Sequence, residues 1–131
     1  MATEAAPTLE ESIARLKEAG SYDPADFTGT DLSTTDYIKR LIKWLGKKKP
    51  AVIILDSCSI SDKGSVLLAS HFEANETCAA LYMSKNNIGD KGATAFAALI
   101  ANAPNTGSLP IEYFNFLAKP KITTAGMEEL I

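Results

Sequence analysis

Two stretches of the chain, Ile53–Gly64 (IILDSCSISDKG) and Leu81–Gly92 (LYMSKNNIGDKG), superpose without a gap at a spacing of 28 residues. Both follow the pattern L-x-L-x-x-N/C-x-I and continue with x-D-K-G, although Ile53 and Met83 replace a leucine. The alternating apolar residues indicate a short strand with every second side chain pointing inward. The Asn or Cys after the strand is expected where the chain turns inward, and there its side chain can satisfy backbone groups that have no ladder partner. A repeat of this period predicts units that stack on one another and share one core.

Two weaker copies flank these units. The first contains Phe27, one period before Leu55. The last contains Ile122–Gly126 and comes six residues late, whereas Leu109 keeps the register of Leu81 and Ile111 that of Met83. We therefore predict an insertion at about residues 115–121 and four units in all, the outer two imperfect because each has a neighbour on one side only.

A helix is expected after each of the first three predicted strands, because apolar residues recur there at steps of three and four. The predicted helices cover residues 35–47, 63–75 and 91–103. Strands joined by crossover helices in the same sense form a parallel sheet.

An amphipathic helix, residues 8–19, precedes the repeats, and Thr8 with Glu11 forms a capping-box signature at its start. We expect this helix to cover the apolar layer of the first unit. Binding of a partner protein is the alternative role. The sequence thus predicts a single domain, in which residues 1–21 form the tail and capping helix and residues 22–131 the repeats.

The motif of Leu81–Gly92 and Ile53–Gly64 resembles the leucine-rich repeat of the ribonuclease-inhibitor type. The resemblance implies an α/β fold: a short right-handed solenoid, or horseshoe segment, with a parallel sheet on its concave face and helices on its convex face. The late last unit and the small repeat number are similar to the tropomodulin repeat domain. The resemblance implies a protein-interaction module, and some proteins with such repeats regulate small GTPases or actin.

A partner protein is expected on the concave face, where side chains between and after the inward positions form adjacent columns. The alternative is that these are ordinary exposed strand residues. The residues predicted to bind are Asp26, Ile54, Asp56, Tyr82, Ser84 and Glu112.

A second candidate surface is a cluster of basic residues in the first repeat helix and at its end. Its members are Lys39, Arg40, Lys43, Lys47, Lys48 and Lys49. They form either a docking patch for an acidic partner or a solvated face with cations favoured near a helix C-terminus. The net charge of −3 argues against nucleic acid as the partner.

No catalytic residue, metal site or cofactor is predicted. Cys58 and Cys78, the only cysteines, occupy inward positions and are interpreted as core thiols. The sole histidine, His71, is placed on the outer helices without a partner nucleophile, so a catalytic triad is not expected. Asp62 and Asp90 are interpreted as helix-capping residues. An unrecognised enzyme remains the alternative to a binding module.

The compartment is expected to be the cytoplasm, because no apolar run approaches the roughly 20 residues that span a bilayer and the first residues lack a secretory signal. No membrane partner is expected. The C-terminal turn ends without a polar capping segment. A homodimer through this turn, or a longer parent protein, would cover its apolar surface.

Overall fold

The computed structural model describes residues 6–74, 77–106 and 113–115. In these residues four helices alternate with four short strands along the chain. The elements are α1 (Leu9–Glu18), β1 (Ala25–Asp26), α2 (Thr35–Lys48), β2 (Val52–Ile54), α3 (Asp62–Phe72), β3 (Ala80–Tyr82), α4 (Asp90–Thr106) and β4 (Tyr113–Asn115).

The strands form one parallel sheet in the order β1-β2-β3-β4. Ile53 pairs with Ala25 on one side and with Leu81 on the other. The parallel pairing that the 28-residue spacing predicts for these strands is therefore confirmed. Backbone bonding continues past the strand ends, since the amide of Leu55 donates to the carbonyl of Tyr82 at 2.7 Å.

The position of the fourth strand differs from the prediction. Leu81 pairs with Phe114 and not with Leu109, so the extra residues lie before β4 and the predicted insertion at residues 115–121 is wrong. The reason is the length of α4, which continues to Thr106 and delays the return of the chain to the sheet. The expected last copy at Ile122–Gly126 lies outside the described residues.

Short polar side chains begin the first three helices. Thr8 and Glu11 form the predicted capping box: the Thr8 hydroxyl accepts from the Glu11 amide at 3.1 Å, and Glu11 Oε1 accepts from the Thr8 amide at 2.9 Å. Thr34 caps α2 and Ser61 caps α3 in the same way, each by accepting from the amide three residues on. These bonds satisfy amides that have no partner inside the helix.

The core lies between the sheet and one layer of helices. Ile53 and Leu81 point toward that layer, and both are almost completely buried. They join one cluster with the inward side chains of the helices, namely Ile38, Leu41, Leu45, Leu68, Phe72 and Phe96. Because strand side chains alternate, the residues on either side of Ile53 and Leu81 lie on the opposite face of the sheet.

Helix α1 covers the first turn of the chain, as expected. Leu9 and Leu16 belong to the core cluster. The buried hydroxyls of Ser12 and Thr30 are 2.6 Å apart, and the Asp31 amide donates to the Pro7 carbonyl at 2.9 Å. The helix is thus attached to the first turn by apolar and polar contacts together.

The overall architecture corrects the expected fold class. The helices contain 10 to 17 residues, whereas the strands contain two or three. A horseshoe requires enough stacked turns for its curvature to build an extended concave wall. The described part of the chain is instead a mixed α/β fold with a small, open parallel sheet, too short and too rich in helix for a leucine-rich-repeat solenoid.

Candidate partner-binding face

The predicted binding residues Asp26, Ile54 and Tyr82 are brought together in one row across the sheet. Asp26 pairs with Ile54, and Ile54 pairs with Tyr82 in the parallel register. Residues paired in this way lie on adjacent strands, which are about 4.8 Å apart. Asn115, and not Glu112, is the residue of β4 that continues the row. Glu112 lies outside the described residues.

A second row runs beside the first. Val52 pairs with Ala80, and both are partly exposed, like Ile54 and Tyr82. We call these four residues together with Asp26 the exposed sheet face. Four neighbouring apolar side chains lie at its centre, and the carboxylate of Asp26 lies at its side. An apolar centre with a polar rim is typical of protein-binding surfaces.

Asp56 and Ser84, two further predicted binding residues, are hydrogen bonded to each other. Asp56 Oδ1 accepts from the Ser84 amide at 2.7 Å and from its hydroxyl at 2.8 Å. Ser84 is only 7% exposed. Asp26 Oδ1 accepts in a similar way from the amide and hydroxyl of Thr28, two residues along the chain. The Asp56–Ser84 pair therefore connects the ends of two strands.

Asn86 is buried where the chain turns inward after β3. Its Oδ1 accepts from the amides of Cys58 and Ile60 at 2.8 and 3.1 Å. Its Nδ2 lies within bonding distance of the carbonyls of Leu55, Met83 and Ser84. The predicted role of this position, to satisfy backbone groups without a ladder partner, is confirmed. Asn86 is therefore buried, whereas its neighbour Asn87 is exposed.

The two cysteines are buried and form no disulfide with each other. Burial raises the pKa of the Cys58 thiol to about 12 and that of the Cys78 thiol to about 11. The Cys58 thiol donates to the carbonyl of Phe27 at 3.1 Å. Both groups are thus protonated near neutral pH, which fits the predicted core role, since the nucleophilic form is the thiolate.

The side chain of His71 is partly buried. It lines a cavity of about 210 Å³ together with Leu45, Phe72 and Cys78, and it contacts the ring of Phe72 edge to face at 5.1 Å. Burial lowers the pKa of His71. The high thiol pKa of Cys78 means that this cavity does not hold an activated thiolate.

The predicted basic patch is divided in the folded chain. Arg40 forms ion pairs with Asp36 at 3.1 Å and with Glu10 of α1 at 3.5 Å. The Lys48 ammonium lies 4.6 Å from the centre of the Tyr22 ring. Lys49 ends α2 in the left-handed conformation, with φ of 49°. Lys39, Lys43 and Lys47 remain as a line of exposed cations at steps of four along α2.

Asp62 does cap a helix, but not the one to which it belongs. The cap of α3 is Ser61. Asp62 Oδ1 instead accepts from the amides of Gly89 and Gly92, at 2.6 and 3.0 Å, at the start of α4. The prediction that Asp62 caps its own helix is wrong because the helix starts lie side by side, and the next start presents free amides to this carboxylate.

One surface was not predicted. A groove of about 370 Å³ on the helix layer is lined by residues of α2, α3 and α4, among them Lys39, Lys63 and Lys91. Its floor includes Val66, which is 43% exposed. The repeated Asp-Lys-Gly motif could have indicated this groove in the sequence, because a lysine that recurs every 28 residues falls at the same position of adjacent helices.

No family model matches the chain, and no curated protein shows significant similarity to it. Within the described ranges, none of the helices has the length and apolar character needed to cross a membrane. The C-terminal turn, through which a homodimer was predicted, lies outside those ranges.

Proposed function

We propose that the chain is a protein-interaction module that binds a segment of another protein through its exposed sheet face and performs no catalysis of its own. The observation that carries this proposal is the pairing of Ile54 with Tyr82, two partly exposed side chains in the middle of the sheet. A large aromatic residue beside an aliphatic one is a common centre of binding energy in interfaces.

The size of this face sets the strength of binding. Its strands have two or three residues each, whereas a standard interface uses about 20–30 residues per partner. The partner is therefore a short segment, held with about micromolar affinity unless the flanks of the sheet add contacts.

The sequence resemblance of Leu81–Gly92 to leucine-rich repeats, whose members bind other proteins, supports the same class of function. Two buried thiols that form no disulfide suit a reducing compartment, and we propose that the module acts in the cytoplasm. Imaging of a fluorescent fusion would test the compartment, and a signal confined to secretory organelles would contradict it.

The test is capture of partners from native extract on the immobilised full chain, followed by quantitative mass spectrometry. The variant is Ile54→Ala with Tyr82→Ala. The matched control is Ile100→Ala, which removes a 45% exposed apolar side chain from α4. We expect some proteins to be retained by the wild type and the control but depleted about tenfold by the double variant, since a central contact contributes more than about 1 kcal/mol.

Circular dichroism and urea unfolding establish that the double variant is folded before its binding is compared. If a folded double variant retained every partner of the wild type, the exposed sheet face would not be the binding site.

A further inference from the structure

The groove on the helix layer combines an apolar floor with a basic rim. Val66 and Leu67 of α3 form the floor, between Thr35 of α2 and Lys91 of α4. Val66 is one of the few large apolar side chains that remain substantially exposed among the described residues. A volume of about 370 Å³ is in the range of ligand sites, about 300–1,000 Å³, and accommodates a large side chain.

Three lysines surround this floor: Lys39 from α2, Lys63 from α3 and Lys91 from α4. In the described part of the chain both side-chain ion pairs belong to Arg40, so these ammonium groups have no carboxylate partner there. Asp62 is the only acidic lining residue, and its Oδ1 is bonded to two backbone amides. The groove is therefore apolar inside and positively charged around its edge.

From this combination we infer that the groove binds an acidic segment of another protein, which inserts one apolar side chain beside Val66 and places carboxylates against Lys63 and Lys91. The surface is separate from the exposed sheet face, because the helix layer covers the other side of the sheet. The inference therefore does not depend on the function proposed for that face.

The composition of the groove favours a protein over a nucleic acid. Bases of single strands bind by stacking on aromatic side chains, and the groove residues include none. A duplex would meet too few cations here, since nucleic-acid binding draws on many phosphate contacts and the chain carries a net charge of −3. An aliphatic floor contributes to the free energy of binding only when an apolar group of the ligand is buried against it.

The experiment is selection of random 12-residue peptides displayed on phage against the immobilised full chain. We expect enriched peptides to contain several acidic residues around one large apolar residue. The affinity of a selected peptide is then measured by fluorescence anisotropy on the wild type and on two groove variants, Lys63→Glu with Lys91→Glu, and Val66→Asp. Each variant should weaken binding about tenfold or more, because it replaces attraction by repulsion or places a charge on the apolar floor.

Two controls separate the groove from general charge attraction and from the sheet face. Lys43→Glu with Lys47→Glu makes the same change in charge at two exposed lysines outside the groove residues and should alter the affinity less than twofold. Ile54→Ala with Tyr82→Ala should leave peptide binding intact. A peptide with lysines in place of its acidic residues should bind the Lys63→Glu, Lys91→Glu variant better than the wild type, a gain that misfolding cannot produce.

The inference is overturned by any of four results. The first two are enrichment of basic or uncharged peptides only, and absence of any enriched peptide. The third is an equal loss of affinity in Lys43→Glu with Lys47→Glu. The fourth is binding of heparin that competes with the peptide but is unaffected by Val66→Asp. Sedimentation of the chain without peptide tests whether a second copy of the chain occupies the groove. A dimer that Lys63→Glu with Lys91→Glu disperses would make a second copy of the chain the occupant.

Discussion

At the scale of single residues, Asn86 does the most to join neighbouring turns of the chain. An amide side chain carries both a donor and an acceptor group, and Asn86 uses both on buried backbone groups. Cys58, one period earlier, bonds the backbone of the preceding turn through its thiol. A thiol, which is smaller than an amide side chain, is sufficient at position 58 because Asn86 already accepts the hydrogen bond of the Cys58 amide.

We predict that Asn86→Ala lowers the free energy of unfolding by roughly 3 kcal/mol, because each buried backbone group left without a partner costs about 1–3 kcal/mol. Urea unfolding at neutral pH measures the change. The control is Asn87→Ala, at an exposed position, which should remain within about 0.5 kcal/mol of the wild type. Equal effects of the two substitutions would contradict the role of Asn86.

Gly92 allows α4 to approach α3 closely. A Cβ atom at this position would overlap the Ile88 side chain and lie 3.0 Å from both Ser65 Cβ and Asp62 Oδ1. Gly64, in the preceding copy of the motif, is crowded in the same way by Ile38 and Ile60. The glycine of the Asp-Lys-Gly motif is thus required by packing.

Gly92→Ala is expected to destabilise the protein by about 1–3 kcal/mol, since overpacking forces neighbouring atoms apart. The matched control is Gly46→Ala in α2, where an added Cβ meets no atom within 4 Å. There alanine should stabilise the helix by about 0.5–1 kcal/mol. Thermal unfolding of both variants gives the comparison, and stabilisation by both would show that the crowding at Gly92 is easily relieved.

Among the elements, the start of α3 is bonded to the start of α4 as well as to its own cap. The carboxylate of Asp62 in α3 accepts from Gly89 and Gly92 at the start of α4. A negative charge is also favourable at the positive end of the helix dipole. These bonds set the position of α4 relative to α3, and thereby place Lys91 beside the groove.

Asp62→Ala should destabilise the protein by about 1–2 kcal/mol, the usual effect of losing a helix cap. Amide hydrogen exchange should become faster at Gly89 and Gly92, because their acceptor is removed. Asp62→Asn retains an acceptor oxygen and should recover most of the protection. Unchanged exchange at both glycines in Asp62→Ala would be inconsistent with the link between the helices.

At the scale of the whole molecule, one core cluster runs from Leu9 in α1 to Leu99 in α4 and includes both cysteines. We predict that the described region unfolds as one unit. In increasing urea, Cys58 and Cys78 should become reactive toward a thiol reagent over the same concentration range in which the helical circular dichroism signal is lost. Reaction of Cys78 well before this loss would show that the second half of the core opens independently.

The same burial predicts a loss of stability in alkaline solution. The thiol pKa of Cys58 is about 12 in the folded chain against an ordinary value of 9.0, so at intermediate pH the unfolded chain releases a proton that the folded chain keeps. The stabilisation is complete below about pH 9 and decreases as the pH rises toward 12. Urea midpoints at pH 8 and pH 10 should differ less in Cys58→Ala than in the wild type; an identical difference would exclude this cause.

Residue type and spacing along the chain were enough to predict several features of the fold. The period of 28 residues predicted the pairing of Ile53 with Leu81, the signature of Thr8 with Glu11 predicted the capping box, and the position of Asn86 predicted its backbone bonds. The reason is that local geometry and alternation of apolar residues leave few arrangements for these positions.

Other features depend on contacts between distant parts of the chain. These are the amount of helix and strand in each unit and the position of the fourth strand. The length of an element depends on its packing as well as on its local sequence: α4 continues to Thr106, past Pro104, although proline usually ends a helix. Contacts between neighbouring helices determine the other features. They place the Asp62 carboxylate against the start of the next helix and bring Lys39, Lys63 and Lys91 together around one groove. The spacing of residues along a single helix or strand does not specify these contacts.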